Sequence, residues 1–278
     1  MSENSFEKLF LTGKSGTIGK HFRKHSDSTF FDVTDTNDAE KWFKDRDVVG
    51  ATFLHLAAVV GESQVSSDLK RATEVNFTGS INVAKLALQH GVKRFMFAST
   101  SHIYKPSASA IGEEHEKVPQ NIYAQMKFEA ENALLEIFKN DFDKLVIFRI
   151  FSILDFGTPG YTLGGKVTDA INNQRKILIK CALDRRDFLT PRNVSNAIEY
   201  CIHSNLAGGI YNICSGEPRT VKEAVEQMLV SANLPLNFFE FESKHSNSPE
   251  IFGNNSKIVK AAPGIESLLK WKLILPQS

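Results

Sequence analysis

The sequence predicts an α/β protein in which a parallel β-sheet is covered by helices on both faces. Two observations support this prediction. Short apolar runs alternate with amphipathic helical segments over the first 150 residues, and a glycine-rich turn stands at the first strand-to-helix junction. Strands that alternate with helices pair in parallel. The 278 residues are enough for one such domain and a smaller lobe.

The expected elements of the first half follow one another in order. We expect strands at residues 8–12, 29–33, 52–56, 94–98 and 144–150, and helices at residues 17–25, 37–45, 70–89 and 122–139. Asn37 has the residue type of a helix N-cap, and Glu40 stands three residues after it, as in a capping box. His90-Gly91 is a typical signal for the end of the third helix.

The second half of the chain has a looser pattern. Glycines and prolines after about Ser152 predict a loop, at Gly157, Pro159, Gly160, Gly164 and Gly165. Beyond this loop we expect helices at residues 166–173, after Pro191 and from Val221, with strands at residues 177–179 and 209–213.

Composition argues against several classes of partner. The formal net charge is +1, so no basic surplus indicates a nucleic-acid partner. The N-terminal residues lack the apolar core of a signal peptide, and no apolar stretch is long enough to span a membrane. The three cysteines lack the spacing of a metal site or a redox motif, so we expect reduced thiols in a cytoplasmic protein and no metal.

The glycine-rich turn follows the first expected strand and has the order G-x-x-G-x-x-G. Glycine permits a tight turn, lets backbone N–H groups approach a pyrophosphate and lets the next helix pack closely on the strand. The turn therefore predicts a binding site for the phosphates of a dinucleotide. The residues expected to contact them are Gly13, Ser15, Gly16, Thr17, Ile18 and Gly19.

The sequence leaves recognition of the cofactor ribose open. Asp32 lies near the end of an expected strand, beside Val33, at a spacing that suits a carboxylate for the ribose hydroxyls. The same segment is also similar to the end of a third strand in related folds, where the aspartate lies near the adenine. In that case Arg23 and Lys24 either hold a 2′-phosphate or are solvated helix charges. NAD and NADP therefore both remain candidates.

Tyr123 and Lys127 stand four residues apart in an expected helix, so they lie on one face, a turn apart. A neighbouring ammonium stabilises a phenolate and lowers its pKa, so we expect Tyr123 to exchange a proton with a substrate hydroxyl. The preceding strand ends in the cluster Ser99-Thr100-Ser101-His102. Ligands bind at the carboxyl ends of parallel strands, so this order of motifs predicts an oxidoreductase that transfers a hydride to or from a hydroxyl carbon.

With these motifs the chain resembles the extended short-chain dehydrogenase/reductases, the NAD-dependent epimerase/dehydratase family, over most of its length. Besides the glycine-rich turn, seven segments carry the resemblance: H-L-A-A at residues 55–58, N-F-T-G-S-I-N-V-A-K-L-A at 76–87, G-V-K-R-F-M-F-A-S-T-S-H-I-Y at 91–104, Y-A-Q-M-K-F-E-A-E at 123–131, R-D-F at 186–188 and Y-N-I-C-S-G-E at 211–217, with R-I-F-S at 149–152 as a variant of a sixth-strand motif.

The resemblance implies a Rossmann-type doubly wound sheet with a small C-terminal substrate-binding lobe. Residues 1–157 would form the NAD(P)-binding domain, residues 181–213 would return to it, and residues 158–278 would mainly form the lobe. The resemblance also implies NAD or NADP as the cofactor. Leu56, Ala57 and Ala58 would lie along it, and Asn76 would be the structural asparagine of the family's long helix.

The resemblance assigns catalytic roles as well. Tyr123 and Lys127 match the family's catalytic pair. Thr100 matches the active-site hydroxyl, because it stands four residues before the tyrosine matched by Tyr104. His102 occupies a position that holds an acid or base in some members, and histidine titrates near neutrality. We therefore expect His102 to face the sugar and to exchange a proton with a carbon or hydroxyl there. The alternative is that His102 only forms hydrogen bonds as a polar residue.

Two further residues are implied in substrate binding. Arg186 matches a residue that binds the nucleotide diphosphate in family members. The alternative is that Arg186 is a solvated surface arginine with no role in binding. Ser152 stands where the family often has asparagine. The acidic residues that follow the active-site threonine in the family's dehydratases are absent here, which argues against 4,6-dehydration. Family members often dimerise through the helices matched by residues 76–89 and 123–139, where Leu134, Ile137 and Phe138 offer apolar positions.

These observations favour a nucleotide-sugar 4-epimerase or 4-keto reductase, in which Tyr123 is the acid/base during hydride transfer. One alternative is a reductase or dehydrogenase of a non-sugar carbonyl or alcohol. A second is a cofactor-sensing binding protein on the same fold. Such proteins often lose the tyrosine or the lysine of the pair, and both are present here.

Overall fold

The computed structural model describes residues 8–22, 27–28, 31–246 and 250–273. Its strands are β1 (Leu9–Thr12), β2 (Asp27–Ser28), β3 (Thr52–His55), β4 (Arg94–Thr100), β5 (Leu145–Ile150), β6 (Ser152–Ile153), β7 (Leu178–Ile179), β8 (Arg185–Leu189), β9 (Gly209–Ile213), β10 (Pro218–Thr220), β11 (Glu240–Phe241) and β12 (Glu250–Ile251). Its α-helices are α1 (Thr36–Lys44), α2 (Glu62–Ser67), α3 (Leu69–Thr73), α4 (Ser80–Gln89), α5 (Ile122–Ile137), α6 (Leu163–Asn172), α7 (Pro191–His203), α8 (Val221–Ser231) and α9 (Ser256–Ala261).

Six strands form a parallel sheet in the order β2-β1-β3-β4-β5-β9. Successive side chains of its strands point to opposite faces. Phe53 packs into the core that holds α1, α4 and α5, whereas Leu54 packs into the core that holds α7 and α9. Because both faces are buried, the strands consist of nearly continuous apolar residues. The predicted doubly wound α/β fold is confirmed.

The C-terminal part of the chain interleaves with this sheet. β8 pairs with β6, β10 and β12 in a smaller sheet, and β7 pairs with β11. α6 and α8 pack in a separate apolar cluster that includes Phe188 and Trp271. Between β8 and β10 of the smaller sheet, residues 191–213 form α7 and β9, which belong to the helical layer and the central sheet. The chain therefore passes from the central sheet to the smaller sheet and back again.

The start of α1 differs from the sequence-based expectation. Asp35 caps the helix, because its Oδ1 accepts hydrogen bonds from the N–H groups of Asn37 at 2.9 Å and Asp38 at 3.1 Å. Asn37 lies inside the first turn, so the predicted pairing of Asn37 and Glu40 as a capping box is wrong. A charged oxygen one residue before the helix satisfies the first N–H groups instead.

The region after β1 also differs. The described part of the predicted helix at residues 17–25 contains only a 3-10 turn, Gly19–His21, so a regular helix there is wrong. Arg23 and Lys24 lie outside the described residues, as do residues 29–30 of the predicted second strand. In place of the predicted strand at residues 29–33, the described residues contain β2 at Asp27–Ser28. Asp32 and Val33 lie after β2 and before α1, outside any strand.

The predicted helix at residues 70–89 has a wider turn in its middle. A π-helical segment, Glu74–Gly79, joins α3 to α4, and the short α2 before them was not predicted. The segment ends at Gly79, where a Cβ would lie 2.8 Å from the carbonyl oxygen of Val33. Glycine at this position therefore lets the helix pass close to the chain that leads into α1.

Candidate active site

A cavity of about 750 Å³ opens at the carboxyl ends of β1, β3, β4 and β5. Its walls also include the start of α5, the loop before α6 and part of β8. The neighbours β1 and β3 flank the point where the chain changes direction across the sheet, which is the usual ligand position in open α/β sheets.

The glycine-rich turn forms one wall of the cavity. Gly13 has φ +71°, and a Cβ there would lie 2.7 Å from the backbone nitrogen of Ala57. A Cβ at Gly19 would lie 2.1 Å from the carbonyl oxygen of Gly13. Only glycine fits both positions. All the predicted phosphate-binding residues of this turn line the cavity. In the described residues that follow, up to Phe22, only the 3-10 turn Gly19–His21 is formed, so the phosphates of a dinucleotide would meet mainly the backbone of the glycine-rich turn.

The segment after β3 is held beside this turn by hydrogen bonds. The hydroxyl oxygen of Thr12 accepts from the N–H groups of Leu56 and Ala57, both at 3.2 Å. His55 bonds to Thr12 at 2.9 Å and to Ser80 at 3.1 Å through its two ring nitrogens. Burial, with the nearby charge of Lys127, lowers the pKa of His55 to about 3, so the ring is a neutral connector.

Some predicted cofactor residues line the cavity and others support its wall. Leu56 and Ala58 line it, whereas the backbone of Ala57 packs against Gly13. Asn76 lies behind the wall, where its amide bonds to both the N–H and the carbonyl of Val59 at 2.8 and 2.9 Å. Asn76 therefore fixes the course of the chain beside the cavity, which is the structural part expected of it.

Asp32 and Val33 do not line the cavity. Asp32 is exposed and pairs with Arg71 at 3.1 Å, and it accepts hydrogen bonds from Thr34. These hydrogen bonds from Thr34, followed by Arg71, lower the pKa of Asp32, so it stays a carboxylate. Val33 is buried in the core. A carboxylate and a guanidinium lie together here, so the geometry leaves the choice between NAD and NADP open.

Tyr123 and Lys127 occupy the first two turns of α5, which begins where the Asn121 side chain accepts from the N–H of Ala124 at 2.9 Å. Tyr123 is half-buried in the cavity wall. Lys127 is buried beneath it, and its ammonium lies 3.8 Å from the centre of the Phe97 ring.

The electrostatics of this pair differ from the expectation. Burial, opposed by the Glu131 carboxylate, lowers the pKa of Lys127 to about 7. Burial, together with the nearby phenol of Tyr161, raises the pKa of Tyr123. The predicted lowering by the ammonium is therefore wrong for this structure, because loss of hydration and the neighbouring Tyr161 both disfavour the charged phenolate.

The hydroxyl cluster at the end of β4 divides between cavity and core. Thr100 lines the cavity, and its hydroxyl oxygen accepts from the N–H of His102 at 3.3 Å. Ser99 also lines the cavity, and its buried hydroxyl has no hydrogen-bond partner among the described groups. Ser101 lies fully buried outside the cavity. Thr100 and Ser99 are thus the two hydroxyl-bearing residues of the cluster that line the cavity.

The three predicted substrate-binding side chains beyond Thr100 all line the cavity, namely His102, Ser152 and Arg186. The side chain of Arg186 is 15% exposed and pairs with Asp184 at 3.0 Å, so the alternative of a surface arginine is wrong. Burial and the charge of Arg186 lower the pKa of His102 to about 4. The expected titration of His102 near neutrality is therefore wrong in this structure.

Comparison with known proteins identifies the family. The sequence profile of the NAD dependent epimerase/dehydratase family matches residues 14–214, which include the glycine-rich turn after Gly13, the hydroxyl cluster and the Tyr123–Lys127 pair. The chain belongs to this family. The predicted membership, and with it the prediction of an enzyme, is confirmed.

Curated members of the family align along most of the chain. The chain is 24% identical over 252 residues to GDP-6-deoxy-D-mannose reductase from Pseudomonas aeruginosa, covering 83% of this chain and 82% of that protein. It is 26% identical over 247 residues to UDP-glucose 4-epimerase from Vibrio cholerae, covering 81% of this chain and 71% of that protein.

Solved structures of family members share the fold. The structure of RMD from Pseudomonas aeruginosa complexed with NADPH superposes with a TM-score of 0.79 at 20% identity, over 95% of this chain and 98% of that one. UDP-glucuronic acid 4-epimerase from Bacillus cereus, in complex with UDP-glucuronic acid and NAD, gives a TM-score of 0.78 at 16% identity, over 94% and 96%. These likenesses establish the Rossmann-like architecture of the family in this chain.

Sequence reasoning missed a number of cavity residues, among them Gly61, Asn121 and Tyr161. Asn121 carried a usable signal, because asparagine favours the N-cap and stands just before the Tyr-x-x-x-Lys pattern. Gly61 and Tyr161 are 100 positions apart in the sequence and meet only in the fold. Among the described residues, no three His, Cys, Asp or Glu side chains converge as a metal site, and none of the helices is long and apolar enough to cross a membrane.

Proposed function

We propose that this protein is an NAD(P)-dependent enzyme that acts on a nucleotide-linked sugar, as a 4-epimerase or a 4-keto reductase. One observation supports this most strongly. The glycine-rich turn, Thr100 and Tyr123 all line a single cavity at the carboxyl edge of the sheet, and Lys127 lies buried one helical turn after Tyr123 on α5. Relatives named as a GDP-6-deoxy-D-mannose reductase and as UDP-glucose 4-epimerases support the substrate class.

The residues present fit a dinucleotide. Side chains at Gly13 and Gly19 would collide with backbone, so glycine is needed for the tight turn whose residues line the cavity. The phosphates would approach the backbone of this turn, where the N–H of Gly16 is already bonded to the carbonyl of Gly13. The segment at residues 56–58, fixed by Thr12, would hold the other side of the cofactor. When bound, the nicotinamide supplies or accepts the hydride.

Tyr123 would hold and move the proton. No described group hydrogen-bonds to its hydroxyl, so the phenol is available to a sugar oxygen, which Thr100 would orient from the neighbouring strand end. The raised pKa of Tyr123 keeps the phenol protonated and ready to donate to a keto oxygen. Lys127, whose pKa is about 7, gains a proton most readily when Tyr123 becomes a phenolate.

Arg186 and His102 would face the rest of the substrate. The guanidinium of Arg186 suits a diphosphate. A bound anion would offset the charge of Arg186, which is the second cause, after burial, of the lowered pKa of His102. His102 would then exchange a proton with a sugar carbon or hydroxyl, while Ser152 would donate to a sugar hydroxyl.

The test is a binding and turnover screen of the purified chain. Thermal unfolding would be followed with NADH, NADPH, UDP-glucose and GDP-6-deoxy-D-mannose, because a ligand of the folded state raises its stability. Turnover would be measured as conversion of UDP-glucose to its 4-epimer, and as oxidation of GDP-6-deoxy-D-mannose with NADP⁺. A cofactor that copurifies favours the epimerase, and one that exchanges freely favours the reductase. Absence of binding by both nucleotide sugars, or full turnover by Tyr123→Phe, would reject the proposal.

The proposal also covers the roles of the two parts of the chain, its cellular location and its oligomeric state. Residues 1–157 with the returning segment at 181–213 would bind the cofactor, and residues 158–278 would mainly bind the substrate. The free thiols of the three cysteines suit a cytoplasmic protein. A homodimer through α4 and α5 would use Ile137, which is only partly buried, whereas Leu134 and Phe138 are already core residues. Light scattering of the purified chain would test the dimer.

A further inference from the structure

Tyrosine hydroxyls are paired elsewhere in this protein but not in the cavity. The chain has five tyrosines. Three of them, Tyr104, Tyr200 and Tyr211, donate to protein oxygens at 2.5 to 3.1 Å. The other two, Tyr123 and Tyr161, both line the cavity, and no group in the described ranges hydrogen-bonds to either hydroxyl. Tyr161 therefore presents an unused donor beside the proposed catalytic phenol.

The loop that carries Tyr161 is fixed to the start of α6. The hydroxyl oxygen of Thr162 accepts from the N–H of Gly165 at 3.1 Å, and the same hydroxyl donates to the carbonyl of Pro159 at 2.7 Å. A Cβ at Gly165 would lie 2.1 Å from that carbonyl oxygen, so the turn closes tightly on the helix. Tyr161 therefore lies in a turn that is closed by hydrogen bonds between Pro159, Thr162 and Gly165.

The ring of Tyr161 rests on Gly61, the residue just before α2. A Cβ at Gly61 would lie 2.6 Å from Cδ2 and 2.8 Å from Cε2 of the tyrosine ring. Gly61 also has φ +95°, a conformation that favours glycine. The absence of a side chain at Gly61 therefore sets where the ring lies, and this contact joins the segment after β3 to the loop before α6 along the cavity wall.

Tyr161 lies close enough to Tyr123 to affect its ionisation. After burial, Tyr161 is the second cause of the raised pKa of Tyr123. Burial also raises the pKa of Tyr161 itself, so Tyr161 stays neutral at ordinary pH. A neutral phenol at this position donates a hydrogen bond without adding a negative charge that would oppose a Tyr123 phenolate.

We propose that Tyr161 is a substrate-positioning residue: held against Gly61, it donates a hydrogen bond to a sugar oxygen next to the one that Tyr123 serves. This inference rests on the proposed function, because it needs a polyhydroxylated substrate between the two phenols. It deepens that function by naming a second contact that sets which sugar carbon faces the reacting centre.

The first test removes only the hydroxyl, with Tyr161→Phe. We expect KM to rise roughly 3- to 10-fold for whichever of UDP-glucose and GDP-6-deoxy-D-mannose the wild type turns over, as for loss of one neutral hydrogen bond. The dissociation constant for NADH, from its fluorescence, and the melting temperature should not change. Tyr200→Phe is the control, because it deletes a hydroxyl that bonds to the carbonyl of Pro263 instead.

The second test moves the ring without changing it. Gly61→Ala should displace Tyr161 and raise KM at least as much as Tyr161→Phe. In the double variant with Tyr161→Ala, the alanine at position 61 should add no further rise, since the clash is gone. Gly50→Ala is the matched control. Gly50 has φ +71°, but no atom lies within 4 Å of a Cβ there, so this variant shows how much of any change comes from backbone strain without a steric clash.

The outcomes separate this inference from the proposed function. If the wild type binds neither nucleotide sugar, the proposed function is rejected, and this inference with it. If the wild type turns over one of them and Tyr161→Phe leaves its KM unchanged, only the inference is overturned. A change in the NADH dissociation constant equal to the change in KM would place Tyr161 on the cofactor and overturn it as well.

Discussion

Glu131 and Arg149 form an ion pair that is almost completely removed from solvent. The pair joins Nη2 of Arg149 to Oε2 of Glu131 at 2.7 Å, and the two side chains are 3% and 1% exposed. Arg149 also donates to the hydroxyl of Tyr104 and to the carbonyl of Glu113 at 2.9 and 2.8 Å. Because Glu131 lies on α5 and Arg149 on β5, this network ties the helix of Tyr123 to the sheet.

Glu131→Gln is predicted to destabilise the protein by about 3–5 kcal/mol, because it leaves the buried guanidinium without its counter-charge. Urea unfolding at constant pH measures this change. Glu136→Gln on the same helix is the control, since its partner Lys139 is 60% exposed and the pair is solvated. Equal stability of the two variants would show that the buried pair contributes nothing.

Lys127→Met is predicted to remove a pH dependence of stability. The pKa of Lys127 is about 7 in the folded protein, against about 10.4 for an unfolded lysine. Between these values the unfolded chain binds more protons, so wild-type stability rises with pH, at up to ~1.4 kcal/mol per unit. Below pH 7 the lysine is protonated in both states and adds no slope.

Unfolding by urea at pH 7, 8 and 9 checks this prediction for both proteins. The advantage of the wild type over Lys127→Met should grow with pH. The difference between wild type and Lys85→Met, which alters an exposed lysine of α4, should stay constant. A difference for Lys127→Met that stays constant or shrinks would contradict the lowered pKa.

Arg186→Met is predicted to raise the pKa of His102 from about 4 towards the ordinary histidine value, because it removes the second of two causes of the shift, after burial. Titration of the His102 ring resonances by NMR measures it. Arg185→Met is the control, because Arg185 pairs with Glu250 instead.

A separate variant tests the chemical role of His102. If His102→Ala retains full turnover, His102 has no chemical role.

Gly19→Ala is predicted to weaken NADH binding more than tenfold, because its Cβ would lie 2.1 Å from the carbonyl oxygen of Gly13 and would force the turn open. Gly16→Ala should have a smaller effect, since its Cβ would lie 3.1 Å from the same oxygen. Fluorescence titration with NADH gives both constants. The reverse order of effects would show that the spacing of the turn does not control cofactor binding.

Patterns that are local in the sequence predicted much of this protein. Apolar runs with turn residues between them predicted five of the six described strands of the central sheet, all but β2, since a strand buried on both faces needs only apolar side chains in sequence. The turn from Gly13 to Gly19 and the pair Tyr123 and Lys127 were also found locally, because a tight turn and one helical face are set by spacing alone. Errors arose at boundaries, as at α1, where Asp35 rather than Asn37 caps the helix.

What the sequence determined by itself was the alternation of strands and helices, the glycine-rich turn and the placement of Tyr123 and Lys127 on one helical face, all of which depend on residues within one turn or one strand of each other. Only the tertiary structure decided the pKa values of Lys127 and His102, because burial and the approach of Arg186 depend on how distant segments pack. The same holds for the contact of Gly61 with Tyr161, which brings together two loops that share no local pattern.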